Sequence, residues 1–233
     1  MTTITTINHT RFQTSSAPDT TPIVFIVNND ISVRETLRLL IQASGWRAET
    51  FASARAFLAR PRPTVPSCLV LDVALPDLSG LDLQQRVAAD RSDMPVIFIT
   101  EFGDVSQSVR AMKAGALEFL TRPFREDVLV GAIRQALERS RRTLEHDAKT
   151  KALRESYRLL TPREREVMVL VVSGFLNKQV GGELGISEIT VKAHRGQVMR
   201  KMKADSLPAL VNMVAGLGLL ADRLDYLQPA LAS

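Results

Sequence analysis

Cysteine and aromatic residues are scarce in this 233-residue chain, which contains one cysteine, one tryptophan and two tyrosines. A single cysteine excludes an intrachain disulfide, and Cys68 lies in an apolar run, where cysteine behaves as a small buried hydrophobe. The sequence also lacks any apolar run near the ~20 residues of a membrane-spanning helix. We therefore expect a cytoplasmic protein without membrane contact. Residues 1–21 are rich in Thr and Ser and predict a disordered tail, not a signal peptide.

The overall composition is that of a globular protein, with 45% hydrophobic and 24% charged residues. The length is sufficient for one large domain or two modest ones. The net charge of +5 is compatible with a polyanionic partner such as nucleic acid. Moderate basicity is common, however, so the location of the charge is more informative than its sum.

The first half of the chain alternates short apolar runs with segments of helical periodicity. The apolar runs are Ile23–Val27, Cys68–Asp72, Pro95–Ile99 and Leu117–Leu120, and Arg47–Phe51 is a short segment of alternating polarity. Strands that alternate with helices predict an α/β fold, a doubly wound five-stranded parallel sheet. Connections of this kind are right-handed, so the carboxyl ends of the strands share one edge of the sheet.

Polar side chains follow several of these predicted strands. They are Asn28, Asn29, Asp72, Thr100 and Arg122. Helix caps at a structural rim would account for two or three of them. Open α/β sheets bind ligands at this edge, so the pattern predicts a ligand or modification site centred on Asp72.

These residues resemble a known family. The segment LDVALPDLSG around Asp72, Thr100 after VIFI, MKAG at 112–115, Phe119 and the tripeptide Arg122–Phe124 are similar to the receiver domain of two-component response regulators. The resemblance covers about residues 23–137 and implies the CheY-like strand order 2-1-3-4-5. It also implies that Asp72 accepts a phosphoryl group from a histidine kinase, that Thr100 hydrogen-bonds this group, and that Phe119 rotates inward as a switch. A phosphoryl group adds a charge of about −1.5 to −2, which can bias a bistable surface.

The sequence departs from the family at three positions. The acidic pair that holds Mg²⁺ in receivers falls on Asn28 and Asn29, and the family's lysine falls on Arg122. Mg²⁺ relies on carboxylates, waters and phosphate oxygens, which leaves Asp30 and Asp72 as weak candidates. Two unit charges at ~4 Å interact by roughly 4 kcal/mol at an effective dielectric of ~20. A neutral hydrogen bond from an amide contributes only ~1 kcal/mol. Replacing the two carboxylates by amides therefore removes more attraction for Mg²⁺ than the amides can replace.

We therefore expect phosphorylation of Asp72 to be slow, metal-poor or absent, and we expect no required cofactor. The receiver would then act mainly through dimerisation or another signal. The alternative is a conventional regulator, activated by Mg-dependent phosphorylation of Asp72 by a histidine kinase.

The second half of the chain begins with a charged segment that contains neither Gly nor Pro. It predicts a helical linker at 139–159, between a receiver domain at 22–138 and an all-α domain at 160–220. Residues 221–233 form a C-terminal tail to which no role is assigned.

Three helices are predicted after the linker. Thr161, Pro162 and Glu164 form a capping-box pattern before the first helix. Asn177 is expected to cap the second helix, and Ser187 the third, which covers Glu188–Lys203. Two helices around a short turn at Gly185 match the helix-turn-helix pattern. Residues 161–204 hold eight basic and four acidic side chains, which favours DNA binding when placed on this motif.

The segment LTPREREVMVLVVSGFLNKQVGGELGISEITVKAHRGQVMRKM resembles the LuxR-type DNA-binding domain of FixJ-like response regulators. The resemblance implies that Lys192, Ala193 and Gly196 face bases. It implies phosphate contacts for Lys178, Thr190, Arg195 and Lys201. A fourth helix, Leu207–Leu217, would supply a dimer contact.

The combined interpretation is a transcription regulator of a two-component phosphorelay that binds double-stranded DNA as a homodimer, and not an enzyme. A haloacid-dehalogenase-like phosphatase with Asp72 as nucleophile needs a second carboxylate two residues later, where this chain has Ala74. A regulator that dimerises without contacting DNA is disfavoured by the basic third helix.

Overall fold

The protein is described by a computed structural model, which covers residues 20–61, 63–101 and 103–218. These residues form two compact units that meet between Leu144 and Glu145. The predicted tail at 221–233 and nearly all of the tail predicted at 1–21 lie outside the described residues. Within the described ranges, no helix has the length and apolarity needed to cross a membrane.

The first unit alternates strands and helices. Its elements are β1 (Ile23–Val27), α1 (Ile31–Ala43), β2 (Arg47–Phe51), α2 (Ala54–Leu58), β3 (Ser67–Asp72), α3 (Gly80–Asp90), β4 (Val96–Thr100), α4 (Val105–Lys113), β5 (Glu118–Thr121) and the first part of α5 (Glu126–Arg158). The five strands pair in parallel in the order β2-β1-β3-β4-β5. The predicted fold class and strand order are thus confirmed.

Each face of the sheet buries its own apolar core, because successive strand residues point to opposite faces. In β1, Phe25 and Val27 pack with Phe57 of α2 and Leu83 of α3 on one face. Val24 and Ile26 belong to the other core, which α1 and α5 cover. Coverage on both faces explains why β1, β3 and β4 consist almost entirely of apolar residues.

Helix α5 runs without a break from the receiver through nearly all of the segment predicted as a helical linker. Its first part packs on the sheet through residues such as Leu129 and Ile133. Ser140 of the same helix is buried and accepts a hydrogen bond from the Ser67 backbone N–H at 3.0 Å. Beyond residue 144, Leu153 and Tyr157 pack against the core of the second unit. The segment predicted as a linker at 139–159 therefore also makes packing contacts within each unit.

The second unit is helical. It contains the end of α5, then α6 (Pro162–Val172), α7 (Asn177–Leu184), α8 (Glu188–Met202) and α9 (Leu207–Gly216). The capping box of α6 is present: the Thr161 N–H donates to Glu164 at 2.7 Å, and Thr161 Oγ1 accepts from the Glu164 N–H. Val191, Val198 and Met202 form the buried side of α8. In α9, Leu210 and Val214 pack into the domain core.

The turn between α7 and α8 depends on two glycines. Gly185 adopts a φ of +65°, which side chains disfavour. A Cβ at Gly181 would lie 2.8 Å from the Ile186 carbonyl oxygen, so only glycine allows α7 to approach the turn. The expected cap at Asn177 is wrong, because Leu176 holds the N-cap position and Asn177 is the first helical residue. Gln179 instead accepts a hydrogen bond from the Leu176 N–H at 2.8 Å.

Candidate functional site

A cleft of about 440 Å³ opens at the carboxyl ends of β1, β3 and β4. The predicted rim residues that line it are Asn28, Asn29, Asp30, Asp72, Thr100 and Arg122. They meet there because parallel strands end at the same edge of the sheet. Phe119 lies outside this lining, half-buried, with its ring centroid 5.8 Å from that of Phe98 in the core.

Asn28 holds Asp72 by a direct hydrogen bond. Its Nδ2 donates to Asp72 Oδ2 at 2.8 Å, and its Oδ1 accepts from the Asp30 backbone N–H at 2.7 Å. The backbone N–H needs an acceptor, so the amide must turn its own N–H towards Asp72. Asn28 is almost completely buried. The position that the family resemblance assigns to a metal-binding carboxylate thus carries a fixed hydrogen-bond donor.

Several oxygen atoms around the cleft already accept hydrogen bonds from the protein. Asp30 caps α1, and its Oδ1 accepts from the Ser32 N–H at 2.7 Å. Asn28 presents N–H, not oxygen, to Asp72. Among the residues that the structure describes, no group of three or more His, Cys, Asp or Glu side chains is placed to hold a metal. Mg²⁺ is usually bound by one or two carboxylates together with waters and substrate phosphates, so Asp30 and Asp72 stay weak candidates for it.

Burial governs the protonation of Asp72. It raises the pKa of this carboxyl group above its usual value, and the nearby Glu101 acts in the same direction. The Ala74 N–H, which donates to Asp72 Oδ1 at 3.1 Å, and the positive charge of Arg122 oppose the shift. Both carboxylate oxygens of Asp72 therefore already accept hydrogen bonds from the protein.

Arg122 is paired with a residue that the sequence patterns did not single out. Its Nη2 lies 2.6 Å from Glu101 Oε1. Glu101 follows Thr100 at the end of β4 and lines the same cleft. The rule that identified Thr100, a polar residue at the carboxyl end of a strand, would also have found Glu101. The pairing means that the cation nearest to Asp72 already has a carboxylate partner.

The loop after Asp72 is held close to the sheet. A Cβ at Gly80 would lie only 2.2 Å from the Asp72 carbonyl oxygen, so the first residue of α3 has to be glycine. Asp77 accepts hydrogen bonds from the Ala54 and Arg55 backbone N–H groups at 3.1 and 2.8 Å. These contacts fix the loop that follows β3 and thus the position of Asp72.

The second candidate site is the exposed face of α8. Lys192, Ala193 and Gly196 are all exposed, as is Lys178 on α7. Lys192 lies 3.2 Å from Glu188, an exposed ion pair of the kind that contributes little and can exchange partners. Arg195 donates to Asn177 Oδ1 at 3.2 Å, and Thr190 shares a hydrogen bond with Ser187. The face is therefore basic and open.

Lys201 differs from the other predicted phosphate contacts. Its Nζ lies 2.8 and 2.6 Å from the two carboxylate oxygens of Glu164, whose side chain is buried. Burial by itself raises the pKa of Glu164, but the hydrogen bonds from Lys201 and Thr161 outweigh it and lower the pKa below the usual value. This ion pair ties α8 to α6, and the phosphate contact of Lys201 stays a prediction.

Comparison with known proteins identifies the family of each unit. Residues 24–134 match the family model of the response regulator receiver domain, and residues 158–214 match that of the bacterial regulatory proteins, luxR family. The chain is 47% identical over 209 residues to nodulation protein W of Bradyrhizobium diazoefficiens, covering 90% of this chain and 92% of that protein. It is 44% identical over 195 residues to the response regulator protein TmoT of Ectopseudomonas mendocina, with coverages of 84% and 89%. A low-resolution structure of the response regulator StyR superposes with a TM-score of 0.78 at 44% identity, covering 84% of this chain and 98% of that one.

Proposed function

Since this chain belongs to the response regulators that join a receiver domain to a LuxR-type DNA-binding domain, we propose that it acts as a DNA-bound homodimer whose receiver is phosphorylated at Asp72 slowly or not at all. Membership of the family makes the protein a DNA-binding transcriptional regulator. The proposal concerns the finer points: the state of Asp72, the role of Mg²⁺ and the assembly on DNA.

One observation carries the proposal about Asp72, namely its hydrogen bond from Asn28. Transfer of a phosphoryl group to a carboxylate needs positive charge to offset the charge on the phosphoryl oxygens. In this cleft, an amide replaces the expected metal ligand, and the nearest cation, Arg122, is paired with Glu101. Asp72 is therefore a poor acceptor, because few groups are free to stabilise the incoming charge.

A conventional regulator, phosphorylated by a histidine kinase with Mg²⁺, is the second candidate. Asp72 lines an open cleft, and Thr100 lines the same cleft where it could contact a phosphoryl oxygen. Arg122 also retains a positive charge, although its planar guanidinium differs from a compact ammonium group. These features favour the second candidate only if the Asn28–Asp72 hydrogen bond is broken readily.

A selection experiment tests the proposal on the full-length protein. A randomised duplex pool is enriched on untreated protein and, separately, on protein treated with acetyl phosphate and Mg²⁺. The Asp72→Asn variant serves as the control that cannot form the aspartyl phosphate. We expect the same sequences and the same affinities in all three cases. Binding that appears only after treatment of the wild type supports the conventional regulator, and absence of binding throughout contradicts the DNA-binding proposal.

Homodimerisation is supported by an exposed apolar stripe on α4. Val105, Val109 and Met112 recur at helical spacing, yet they face outward, while Ala111 is the buried residue of this helix. Such a stripe exposes apolar surface that a second copy of the chain could cover. We expect Val109→Glu to lower the mass measured by sedimentation equilibrium from that of a dimer to that of a monomer. Leu39→Glu, an equally exposed apolar site on α1, should leave the mass unchanged.

A further inference from the structure

The outward face of α8 carries an apolar stripe beside its basic residues. Ile189 is 79% exposed, more than any other large apolar side chain among the described residues. Ala193 and Gly196 follow it at spacings of four and three residues, and both are exposed. A single exposed isoleucine would be ordinary, but this one is aligned with two small residues that were already expected to face bases.

Helical geometry places these three residues on one face. At 100° per residue, Ile189, Ala193 and Gly196 fall within roughly 60° of one another. They lie opposite Val191, which is completely buried in the domain core. The stripe is ~10 Å long, which corresponds to about three base-pair steps of DNA. Gly196 adds no side chain, and a Cβ built there would meet no atom within 4 Å.

The charges around the stripe indicate its partner. Lys192 is exposed one residue from Ala193, and Arg200 and Lys203 are exposed beyond Gly196. On this face Glu188 is the acid nearest to Lys192, and it also lies at the start of the helix. A narrow apolar stripe between exposed cations suits the major groove of DNA, where phosphates flank base edges that include the methyl groups of thymine.

We propose that Ile189 and Ala193 contact the C5-methyl groups of thymines, so that this pair of residues determines part of the base specificity. The inference rests on the proposed DNA binding and adds to it a class of base. In helix-turn-helix proteins, the first residues of the recognition helix reach the base edges, and Ile189 is the second residue of α8. Ala193 lies one helical turn further along, where the next methyl group would meet a short side chain.

Thymine and uracil differ only by this methyl group, which gives a direct test. Sequences enriched by the full-length wild type should contain thymine at a fixed place in each half-site. Each such thymine is then replaced by deoxyuridine, and the dissociation constant is measured. Burial of one methyl group predicts that the replacement weakens wild-type binding about fourfold at the contacted position. At the position contacted by Ile189, the Ile189→Ala variant should bind the thymine and uracil duplexes with equal affinity, whereas the preference at the position contacted by Ala193 should remain.

Ile31→Ala is the matched control, since Ile31 is an isoleucine of the receiver that is 66% exposed. This variant should keep the fourfold preference for thymine. Equal binding of the two duplexes by the wild type overturns the inference, as does a thymine preference that survives Ile189→Ala at every replaced position. A wild type that binds no duplex overturns the proposed function as well, so the two failures are distinguishable.

Discussion

Asn28→Asp tests whether the hydrogen bond from Asn28 to Asp72 stabilises the receiver in place of a metal ion. It replaces the N–H that lies 2.8 Å from Asp72 by a carboxylate oxygen. Two negative charges at ~4 Å repel by roughly 4 kcal/mol at an effective dielectric of ~20. Loss of the hydrogen bond adds ~1 kcal/mol. Protonation of one carboxyl group limits the total, so without Mg²⁺ we expect a loss of about 2–4 kcal/mol in the free energy of unfolding of the receiver at pH 7.

The pH dependence of this loss follows from the same charges. In the variant, the neighbouring carboxylate raises the pKa of the pair in the folded state above that in the unfolded chain. The folded protein then binds more protons, so its stability rises as the pH falls from 7 towards 5. Mg²⁺ should act in the same direction on the variant, because it binds the folded carboxylate pair and not the unfolded chain.

Urea unfolding followed by tryptophan fluorescence measures these changes. Trp46 is the chain's single tryptophan, and it packs against the receiver core. Without Mg²⁺, Asn29→Asp is the matched control, because it adds the same charge at an exposed position next to Asn28. We expect this control to shift stability by less than ~1 kcal/mol. The account of the cleft is refuted if Asn28→Asp and the wild type have equal free energies of unfolding without Mg²⁺. It is also refuted if Mg²⁺ raises the free energy of unfolding of these two proteins by the same amount.

Two further predictions concern the DNA-binding unit. Lys201→Met leaves Glu164 buried without its partner. It should lower the free energy of unfolding, measured by thermal unfolding at pH 7, by about 1–3 kcal/mol. Because the folded pKa of Glu164 is lowered, the wild type should lose this stability as the pH falls through that pKa. A pH profile identical to that of the variant would argue against the role of the pair. Replacing Lys192 and Arg195 by Ala should weaken duplex binding, and loss of the phosphate contact of Arg195 should reduce the slope of log K against log salt by about one. Lys113→Ala, an exposed lysine of the receiver, should keep the wild-type slope, and an unchanged slope in the double variant would exclude α8 as the contact.

Local patterns predicted the elements of the fold because each element carries its own signal. The apolar run before Asp72 identified β3, and the pattern from Thr161 to Glu164 identified the start of α6 together with its capping box. Strand order followed from the resemblance to receivers, and the structure has that order. Polar residues at strand ends also led to most of the cleft, since parallel strands bring those ends together.

The pairings within each site could not be predicted in the same way. Lys201 and Glu164 are 37 residues apart, and their contact depends on how α8 packs on α6. The direction of the Asn28 amide depends on the Asp30 N–H, which only the fold brings within 2.7 Å. In α4, the periodic apolar residues resemble a buried face, yet the small side chain of Ala111 makes the contact with the core and leaves Val105 outside. Periodicity identifies a helix but does not reveal which partner covers it.

The state of Asp72 is tested most directly by the intact mass of the wild-type protein. The protein is incubated with acetyl phosphate and Mg²⁺, and the mass is followed over time. Asn28 donates a hydrogen bond to Asp72, and Glu101 forms an ion pair with Arg122. We therefore expect most of the protein to keep the mass of the unphosphorylated chain. Rapid and stoichiometric addition of one phosphoryl group, absent in Asp72→Asn, would contradict this account of the receiver.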